Sequence, residues 1–202
     1  MSTPESPPRR ATDHRAQIIE RVTSMLWEHP LRELTISRVM KDSGLSRPAF
    51  YMHFESMTHL MEQLLLDLEQ RMVADTSVWL MAEGEGSDEL YQALGAVVRT
   101  AVEAGPVFRA IAEAAPTDER LEAAWEAFLG RWDDAVAARI ERSFTEALAP
   151  GVDAQTLART LNRMDAATLI AGFGRRPQQD PEATLEALVT VWRRTLQIGT
   201  RG

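Results

Sequence analysis

Apolar residues recur every three or four positions along almost the whole chain, which is the spacing of one face of an α-helix. Between residues 13 and 29 this face is formed by Ile18, Val22, Met25 and Leu26, and the segment ends before Pro30. A longer stripe consists of Leu60, Leu64, Leu68 and Met72. No segment alternates between apolar and polar positions as a half-buried strand does. The pattern therefore predicts an all-α protein.

Turn-forming residues divide the second half of the chain into further helices. Gly84 and Gly86 predict a flexible break, and Gly105-Pro106 predicts the end of one helix and the start of another. The helices predicted after the break at Gly84 and Gly86 are 90–104, 107–114, 117–147, 153–173 and 181–197. Thr117 is predicted to open the longest of them, and Asp153 to cap the next.

Three parts follow from these boundaries. Residues 1–12 are rich in Pro and Ser and are predicted to form a disordered arm. Residues 13–60 are predicted to form a compact three-helix domain that extends into a linking helix, capped by Ser56 and ending at about residue 81. Residues 82–202 are predicted to form a larger helical domain.

Residues 35–54 have the pattern of two short helices joined by a tight turn. Thr35 is a good N-cap for the first helix. Gly44 lies where that helix is expected to end, because glycine readily adopts the left-handed conformation that ends a helix. Ser46 is the expected N-cap of the second helix, and Pro48 occupies its first turn, where a missing N–H has no cost.

The second of these helices has the features of a DNA recognition helix. Phe50 and Phe54 are four residues apart and are predicted to face the core, which leaves Arg47, Ala49 and Tyr51 facing outward. Small and basic residues on an exposed N-terminal turn are typical of a helix that enters the major groove. The alternative is a plain helical hairpin with a solvated face.

The residues of this hairpin predicted to contact DNA are Thr35, Ser37, Arg38, Ser46, Arg47, Pro48, Ala49, Tyr51 and His53. Arg47 is suited either to the O6 and N7 atoms of guanine or to a backbone phosphate. Thr35, Ser37 and Arg38 begin the supporting helix, where hydroxyl and N–H groups can meet a phosphate. For His53 the sequence leaves open a phosphate contact or a helix C-terminal cap.

Composition excludes several classes of protein. The chain has 202 residues, no cysteine and a net charge of -8. Disulfides and thiolate metal sites are therefore excluded, and no signal peptide or membrane span is expected, which suits the cytoplasm. The acidic charge lies away from the hairpin, because residues 1–55 contain 8 Lys+Arg and 7 Asp+Glu. The basic footprint is thin, so tight DNA binding is expected to require a dimer.

The larger domain contains an aromatic stripe. Trp125, Phe128 and Trp132 lie at helical spacing, which indicates either ordinary core or the wall of a pocket. Asn162 and Asp165 are three residues apart on one helical face, so they are candidates for polar points in an apolar cavity.

The segment Leu-Thr-Ile-Ser-Arg-Val, followed by Ser-Gly-Leu-Ser-Arg-Pro-Ala-Phe-Tyr-Met-His-Phe-Glu-Ser, resembles the DNA-binding signature of the TetR family of transcriptional regulators. The resemblance implies that Tyr51 contacts a backbone phosphate. Two positions depart from the family pattern. Ala49 stands where threonine is common, so only its methyl group would reach a thymine, and Met57 stands where a lysine often contacts phosphate.

The second half resembles the EthR-like subgroup of the same family, whose members have an apolar ligand tunnel. The resemblance rests on Trp125-x-x-Phe128-x-x-x-Trp132, Leu161-Asn162-x-Met164, Thr168-Leu169, Phe173 and Val191-Trp192. It implies that tunnel-lining or nearby positions are occupied by Trp125, Phe128, Trp132, Asn162, Phe173 and Trp192. Asp165 stands where the EthR-like pattern has an amide. In an apolar tunnel its carboxyl group is expected to be neutral, paired or turned to water. Alternatively, it selects an amine-bearing or hydroxylated ligand.

The family resemblance also implies a homodimer. Its last two helices pair with their copies in a four-helix bundle, so two recognition helices would face successive major grooves of an inverted-repeat operator. The apolar residues expected at this interface are Leu157, Leu161, Leu185, Leu188, Val189 and Leu196.

Together these features predict a ligand-responsive regulator, a repressor by family default, whose partners are double-stranded operator DNA, an apolar effector and a second copy of the chain. The alternatives are a DNA-independent small-molecule carrier or interaction protein and, last, an enzyme. No catalytic motif, cofactor fingerprint or metal-ligand spacing is present in the sequence, so no catalysis, cofactor or metal is expected.

Overall fold

A computed structural model describes residues 9–41 and 44–199, with side chains from residue 14 onward. Within these ranges the chain is all-α and contains no strand, which confirms the predicted fold class. The helices are α1 Arg9–Leu26, α2 Ile36–Lys41, α3 Arg47–Tyr51, α4 Met57–Leu80, α5 Ser87–Ala114, α6 Glu119–Ser143, α7 Ala154–Phe173 and α8 Pro181–Leu196. Three-residue 3-10 helices lie at Leu31–Glu33, Ala115–Thr117 and Thr145–Ala147.

The helices of the N-terminal domain begin near the predicted caps. The Thr35 hydroxyl accepts from the backbone N–H of Arg38 at 3.2 Å, and the Ser56 hydroxyl accepts from that of His59 at 3.1 Å. Helix α1 begins at Arg9, so the prediction that the disordered arm extends to residue 12 is wrong for residues 9–12. The rest of that arm lies outside the described residues.

The predicted break at Gly105-Pro106 is wrong, because α5 runs without interruption from Ser87 to Ala114. Proline lacks the N–H that would bond the carbonyl of Val102, and that carbonyl accepts instead from Nε2 of Gln178 at 2.9 Å. Gly105 is required because the C-terminal end of α7 crosses there. A Cβ at this position would lie 2.3 Å from the carbonyl oxygen of Phe173.

Replacing Gly105 with alanine is expected to lower the free energy of unfolding by about 3 kcal/mol, because backbone of α7 would have to move. Gly130 of α6 is the matched control, since a Cβ there would meet nothing within 4 Å. Gly130→Ala is expected to raise the free energy of unfolding by about 0.5–1 kcal/mol through the better helix propensity of alanine. Urea titrations of both variants measure the difference. Equal effects of the two substitutions would contradict the close crossing of α5 and α7.

Helix α6 begins at Glu119 rather than at Thr117. Its N-cap is Asp118, whose carboxylate accepts from the backbone N–H groups of Arg120 and Leu121. The helix also ends earlier than predicted, at Ser143, and a 3-10 turn follows it. The predicted starts of the last two helices are confirmed, since the side chains of Asp153 and Asp180 cap α7 and α8.

The core consists of two clusters of buried apolar side chains. The first joins the N-terminal domain to α5 and α6 and includes Phe50, Leu60, Ile111 and Phe128. The second packs α7 and α8 against α4, α5 and α6. Because the first cluster crosses from one predicted domain to the other, movements of α5 and α6 can be transmitted to the N-terminal helices through packed side chains.

Candidate DNA-binding surface and ligand cavity

Helix α3 presents its N-terminal turn to solvent and is held in place from below. Phe50 and Phe54 are 0% and 1% exposed, whereas Tyr51 is 53% exposed. Arg47 is also exposed, and its guanidinium forms no hydrogen bond or ion pair with any described residue. A cation that is not paired within its own chain keeps all its donors for a partner.

The other predicted contacts of α3 are also at the surface. Ser46 occupies the N-cap position, but its hydroxyl makes no capping hydrogen bond, and both Ser46 and Pro48 are exposed. Thr35 and Ser37 are exposed at the start of α2, which packs against α3. These exposed side chains form a continuous set of candidates for backbone contacts.

Arg38 is held by neighbouring residues of the N-terminal domain. Its guanidinium lies 2.9 Å from Nε2 of His29 and donates to the carbonyl oxygen of Glu33 at 3.3 Å. The Glu33 carboxylate lies 3.7 Å from the same group. A phosphate contact by Arg38 would therefore compete with these internal contacts.

Two predicted DNA-contacting residues are placed differently from expectation. Ala49 is only 9% exposed and lies with Phe50 in the core, so the prediction that its methyl group faces outward is wrong. The short helix α3 packs against both α1 and α2, which covers more of its circumference than the Phe50–Phe54 spacing indicates. His53 is half-buried, and its Nε2 atom is buried without a hydrogen-bond partner among the described residues, so only Nδ1 remains for a phosphate.

A cavity of ≈ 110 Å³ lies between α4, α5, α6, α7 and α8. The structure brings six of the predicted ligand-binding residues together on its wall: Trp125, Phe128, Trp132, Asn162, Asp165 and Trp192. Phe173 is not among the lining residues. It is 0% exposed and packs in the second core cluster, because the end of α7 is pressed against α5. Phe173 therefore lies next to the cavity wall, against the lining residue Gly105, and is not part of the wall.

The part of the cavity wall that α4 and α5 supply was not predicted from the sequence. Met72, Thr76 and Trp79 line it from α4, and Phe108 lines it from α5. A signal was present for Trp79, which lies seven residues after Met72 on the same helical stripe. Apolar periodicity alone does not distinguish a core wall from a cavity wall.

Asp165 is the one ionisable side chain among the described residues that line the cavity. It is 8% exposed, and both of its carboxylate oxygens accept from the indole N–H of Trp192, at 3.2 and 3.0 Å. Burial raises the pKa of Asp165 to about 7, against the opposing effect of this hydrogen bond. Asn162 is turned toward another carboxylate, since its Nδ2 donates to Asp133 at 3.0 Å.

The five leucines and one valine expected at a dimer interface are largely part of the core. The prediction is wrong for four of the six, because Leu161, Leu188, Val189 and Leu196 are 3% exposed or less. Leu157 and Leu185 are half-buried against the same cluster. Several outward positions of α7 and α8 carry small or short side chains, namely Thr160, Ala167, Ala171, Ala183, Ala187 and Val191, and others carry the charged Arg159, Glu186 and Arg194.

Polar contacts join the N-terminal domain to the helices around the cavity. The guanidinium of Arg109, on α5, donates to the carbonyl oxygen of Leu26 at the end of α1, at 2.6 Å. At the start of α4, the hydroxyl of Thr58 donates to Asp118 at 2.8 Å. Both connections involve helices that line the cavity, so a change in the cavity has a direct route to the N-terminal domain.

Two family profiles match the chain. The one described as "Transcriptional regulator EthR, C-terminal domain" matches residues 90–197, and the one described as "Bacterial regulatory proteins, tetR family" matches residues 18–64. The tetR-family profile covers the second half of α1, all of α2 and α3, and the start of α4. The first covers most of the helices that line the cavity.

Individual relatives agree with these profiles. The HTH-type transcriptional regulator EthR of Mycobacterium tuberculosis is 29% identical over 188 residues, which are 89% of this chain and 85% of the relative. The regulator of the same name from Mycolicibacterium smegmatis is 27% identical over 202 residues, which are 93% and 90% of the two chains.

Solved structures share the fold. A TetR-family transcriptional regulator from Syntrophomonas wolfei has a TM-score of 0.74 at 14% identity, covering 93% of this chain and 96% of its own. The fatty acid degradation regulator FadR from Bacillus halodurans has a TM-score of 0.74 at 12% identity, covering 98% and 99%. None of the helices in the described ranges is long and apolar enough to cross a lipid bilayer.

Proposed function

Since the chain belongs to the TetR family of bacterial regulatory proteins and has a C-terminal domain of the EthR type, we propose that it is a repressor that leaves its operator when a small, largely apolar molecule fills the cavity. The chain is a transcriptional regulator with a DNA-binding domain and a ligand-binding domain. The proposal adds the direction of regulation, the form of the operator and the site of the effector. It assigns the protein to the cytoplasm, where the chromosome lies.

The observation that carries the DNA-binding part of the proposal is the exposed guanidinium of Arg47, which has no partner among the described residues and lies on a helix supported by buried side chains. Phe50 and Phe54 fix the helix, so the backbone loses little conformational freedom when Arg47 binds, and the main entropic cost is that of ordering the Arg47 side chain. Tyr51 lies one turn further along and is exposed as well. A planar fork of donors at the start of a helix suits the O6 and N7 atoms of guanine in the major groove.

The dimer is proposed to form through the outer faces of α7 and α8. These faces carry Thr160, Ala167, Ala187 and Val191, short side chains that allow helices to approach closely. A two-fold axis between these helices would present two copies of α3 to an inverted repeat. The buried leucines then stabilise the subunit and do not contact the partner.

The proposed coupling uses α4, which belongs to both functional regions. Leu60 and Leu64 lie in the core of the N-terminal domain, and Met72 and Trp79 line the cavity two to five turns further along. In one conformation of the dimer the two recognition helices no longer match the spacing of successive major grooves. A ligand that binds this conformation more tightly would lower the fraction of protein that is able to bind DNA. The Arg109–Leu26 hydrogen bond gives α5 a second connection to the N-terminal domain.

A fluorescence-anisotropy titration at about 0.15 M salt tests the proposal. The full-length protein is titrated against a fragment from upstream of its own gene and against a shuffled fragment of the same composition. The upstream fragment is expected to bind at least about 1,000-fold more tightly. Equal binding of both fragments, or of neither, would favour the alternative of a carrier that does not act on DNA.

A further inference from the structure

The cavity contains one carboxyl group that its own chain satisfies poorly. The two oxygens of Asp165 share a single donor, the indole N–H of Trp192, and accept no other hydrogen bond from the described residues. An ionised carboxylate has about four acceptor positions. Most of the hydrogen-bonding capacity of this buried group is therefore left for a molecule in the cavity.

No cation of the described chain balances this group. The cavity lining contains no Lys, Arg or His. Charged side chains of the adjacent helices have other partners. Asp133 pairs with Arg163 and accepts from Asn162, and Glu69 pairs with Arg131. Arg139 donates to the backbone carbonyls of Trp79 and Gly84, and Arg193 donates to that of Ser87. An ionised Asp165 in this site is consequently costly without a ligand.

The rest of the cavity wall is largely apolar: most of its residues are aliphatic and suit an apolar body, and six are aromatic. The rings of Trp125 and Phe128 are stacked with centroids 5.3 Å apart, and Phe108 lies 5.9 Å from Phe128. Trp192, which contacts the carboxyl group, meets Trp79 edge to face at 5.5 Å, and the Arg139 guanidinium already lies 5.3 Å from the centroid of the Trp79 ring. The faces of aromatic rings attract positive charge, most strongly when water is excluded.

We propose that the effector is an amphiphile with an apolar body and one cationic amine, and that its ammonium group binds the Asp165 carboxylate. This inference rests on the proposed function, since it takes the cavity as the effector site. A hydroxyl group would satisfy one acceptor and bring no charge, whereas an ammonium group brings three donors and the missing positive charge. An acid would place a second negative charge beside the first.

The raised pKa of Asp165 is consistent with this assignment. Burial disfavours the ionised form of Asp165 and so raises its pKa. A cation placed against the carboxyl group favours the ionised form and so lowers the pKa again. Amine binding should therefore be accompanied by loss of a proton from Asp165 near neutral pH. As the pH falls below about 7, protons compete with the amine and its affinity should decrease.

Calorimetric titration of the full-length protein with octylamine, octanol and octanoic acid at pH 8 tests the inference. These probes share a chain length and differ only in the head group. Octylamine is expected to bind at least about tenfold more tightly than octanol, a difference of one order of magnitude in Kd. Octanoic acid is expected to bind most weakly. In Asp165→Asn the preference for the amine should disappear.

A pH series on the unaltered protein keeps the test independent of that variant's folding. Octylamine stays cationic at pH 5, so its advantage over octanol should shrink between pH 8 and pH 5 only if Asp165 is the partner. Absence of octylamine binding, equal affinity for amine and alcohol, or an amine preference that survives in Asp165→Asn would each overturn the inference.

The DNA titration distinguishes this failure from failure of the proposed function. If octylamine binds with the expected preference and leaves operator affinity unchanged, the ligand class stands and the proposed release from DNA is wrong. If octanol releases the operator as well as octylamine does, the amine class is wrong and the regulatory proposal stands.

Discussion

Replacing Arg47 with alanine should weaken binding to the operator about 100-fold or more, because a bidentate contact to guanine is worth ~1–3 kcal/mol and the dimer has two copies of it. The guanidinium has no partner among the described residues and is exposed, so its removal leaves no unsatisfied group in the free protein. Binding to shuffled DNA should change much less. Parallel anisotropy titrations on operator and shuffled DNA measure both effects.

Arg47→Lys is the informative companion variant. Lysine keeps the positive charge and loses the planar fork, so it should restore a phosphate contact but not a bidentate contact to guanine. We expect this variant to bind the operator nearly as poorly as Arg47→Ala. Arg99→Ala, at an exposed arginine of α5, is the control and should bind normally. If lysine restores full operator affinity, Arg47 contacts only the backbone.

Replacing Asp165 with asparagine should stabilise the protein at pH 8 and change its stability little at pH 4. The pKa of the folded state is about 7, above the ordinary value of 3.8, so between these limits the folded chain holds a proton that the unfolded chain has lost. The contribution of Asp165 to the free energy of unfolding therefore falls as the pH rises from about 4 through 7. The three-unit difference corresponds to about 4 kcal/mol at pH 8. Urea titrations at both pH values measure it.

Asp133→Asn is the matched control for that experiment. Asp133 is also buried, at 3% exposed, but it pairs with Arg163 at 3.3 Å and accepts from Asn162. Removing its charge leaves Arg163 without this partner, so the variant should be less stable than the unaltered protein at pH 8. Loss of stability at pH 8 in Asp165→Asn as well would contradict the unpaired state of Asp165.

Several capping residues were predictable because their effect is local, although the cap of α6 is Asp118 and not the predicted Thr117. A hydroxyl or carboxylate bonds the free N–H groups two or three residues away, whatever the rest of the chain does, as at Thr35 and Asp153. Pro106 shows the opposite case. Its missing hydrogen bond is compensated by Gln178, which is far away in sequence, and no local rule indicates such a partner.

The candidate sites were predictable to the extent that residue type determines exposure. Arg47 and Tyr51 lie at the surface as expected, whereas Ala49 fits either environment and was placed on the wrong side. Leucine stripes on α7 and α8 indicate burial but not whether a subunit's own core or a partner covers them. Leu161 and Leu188 are covered by the chain's own helices.

A hydroxyl-radical footprint of the full-length protein on DNA upstream of its own gene tests the central claim most directly. The account predicts two protected half-sites in inverted orientation, with centres about one helical turn, ~34 Å, apart. Both half-sites should lose protection together in Arg47→Ala. Uniform protection that is the same on shuffled DNA, or a single half-site occupied by one subunit, would contradict a two-fold symmetric regulator that reads DNA with α3.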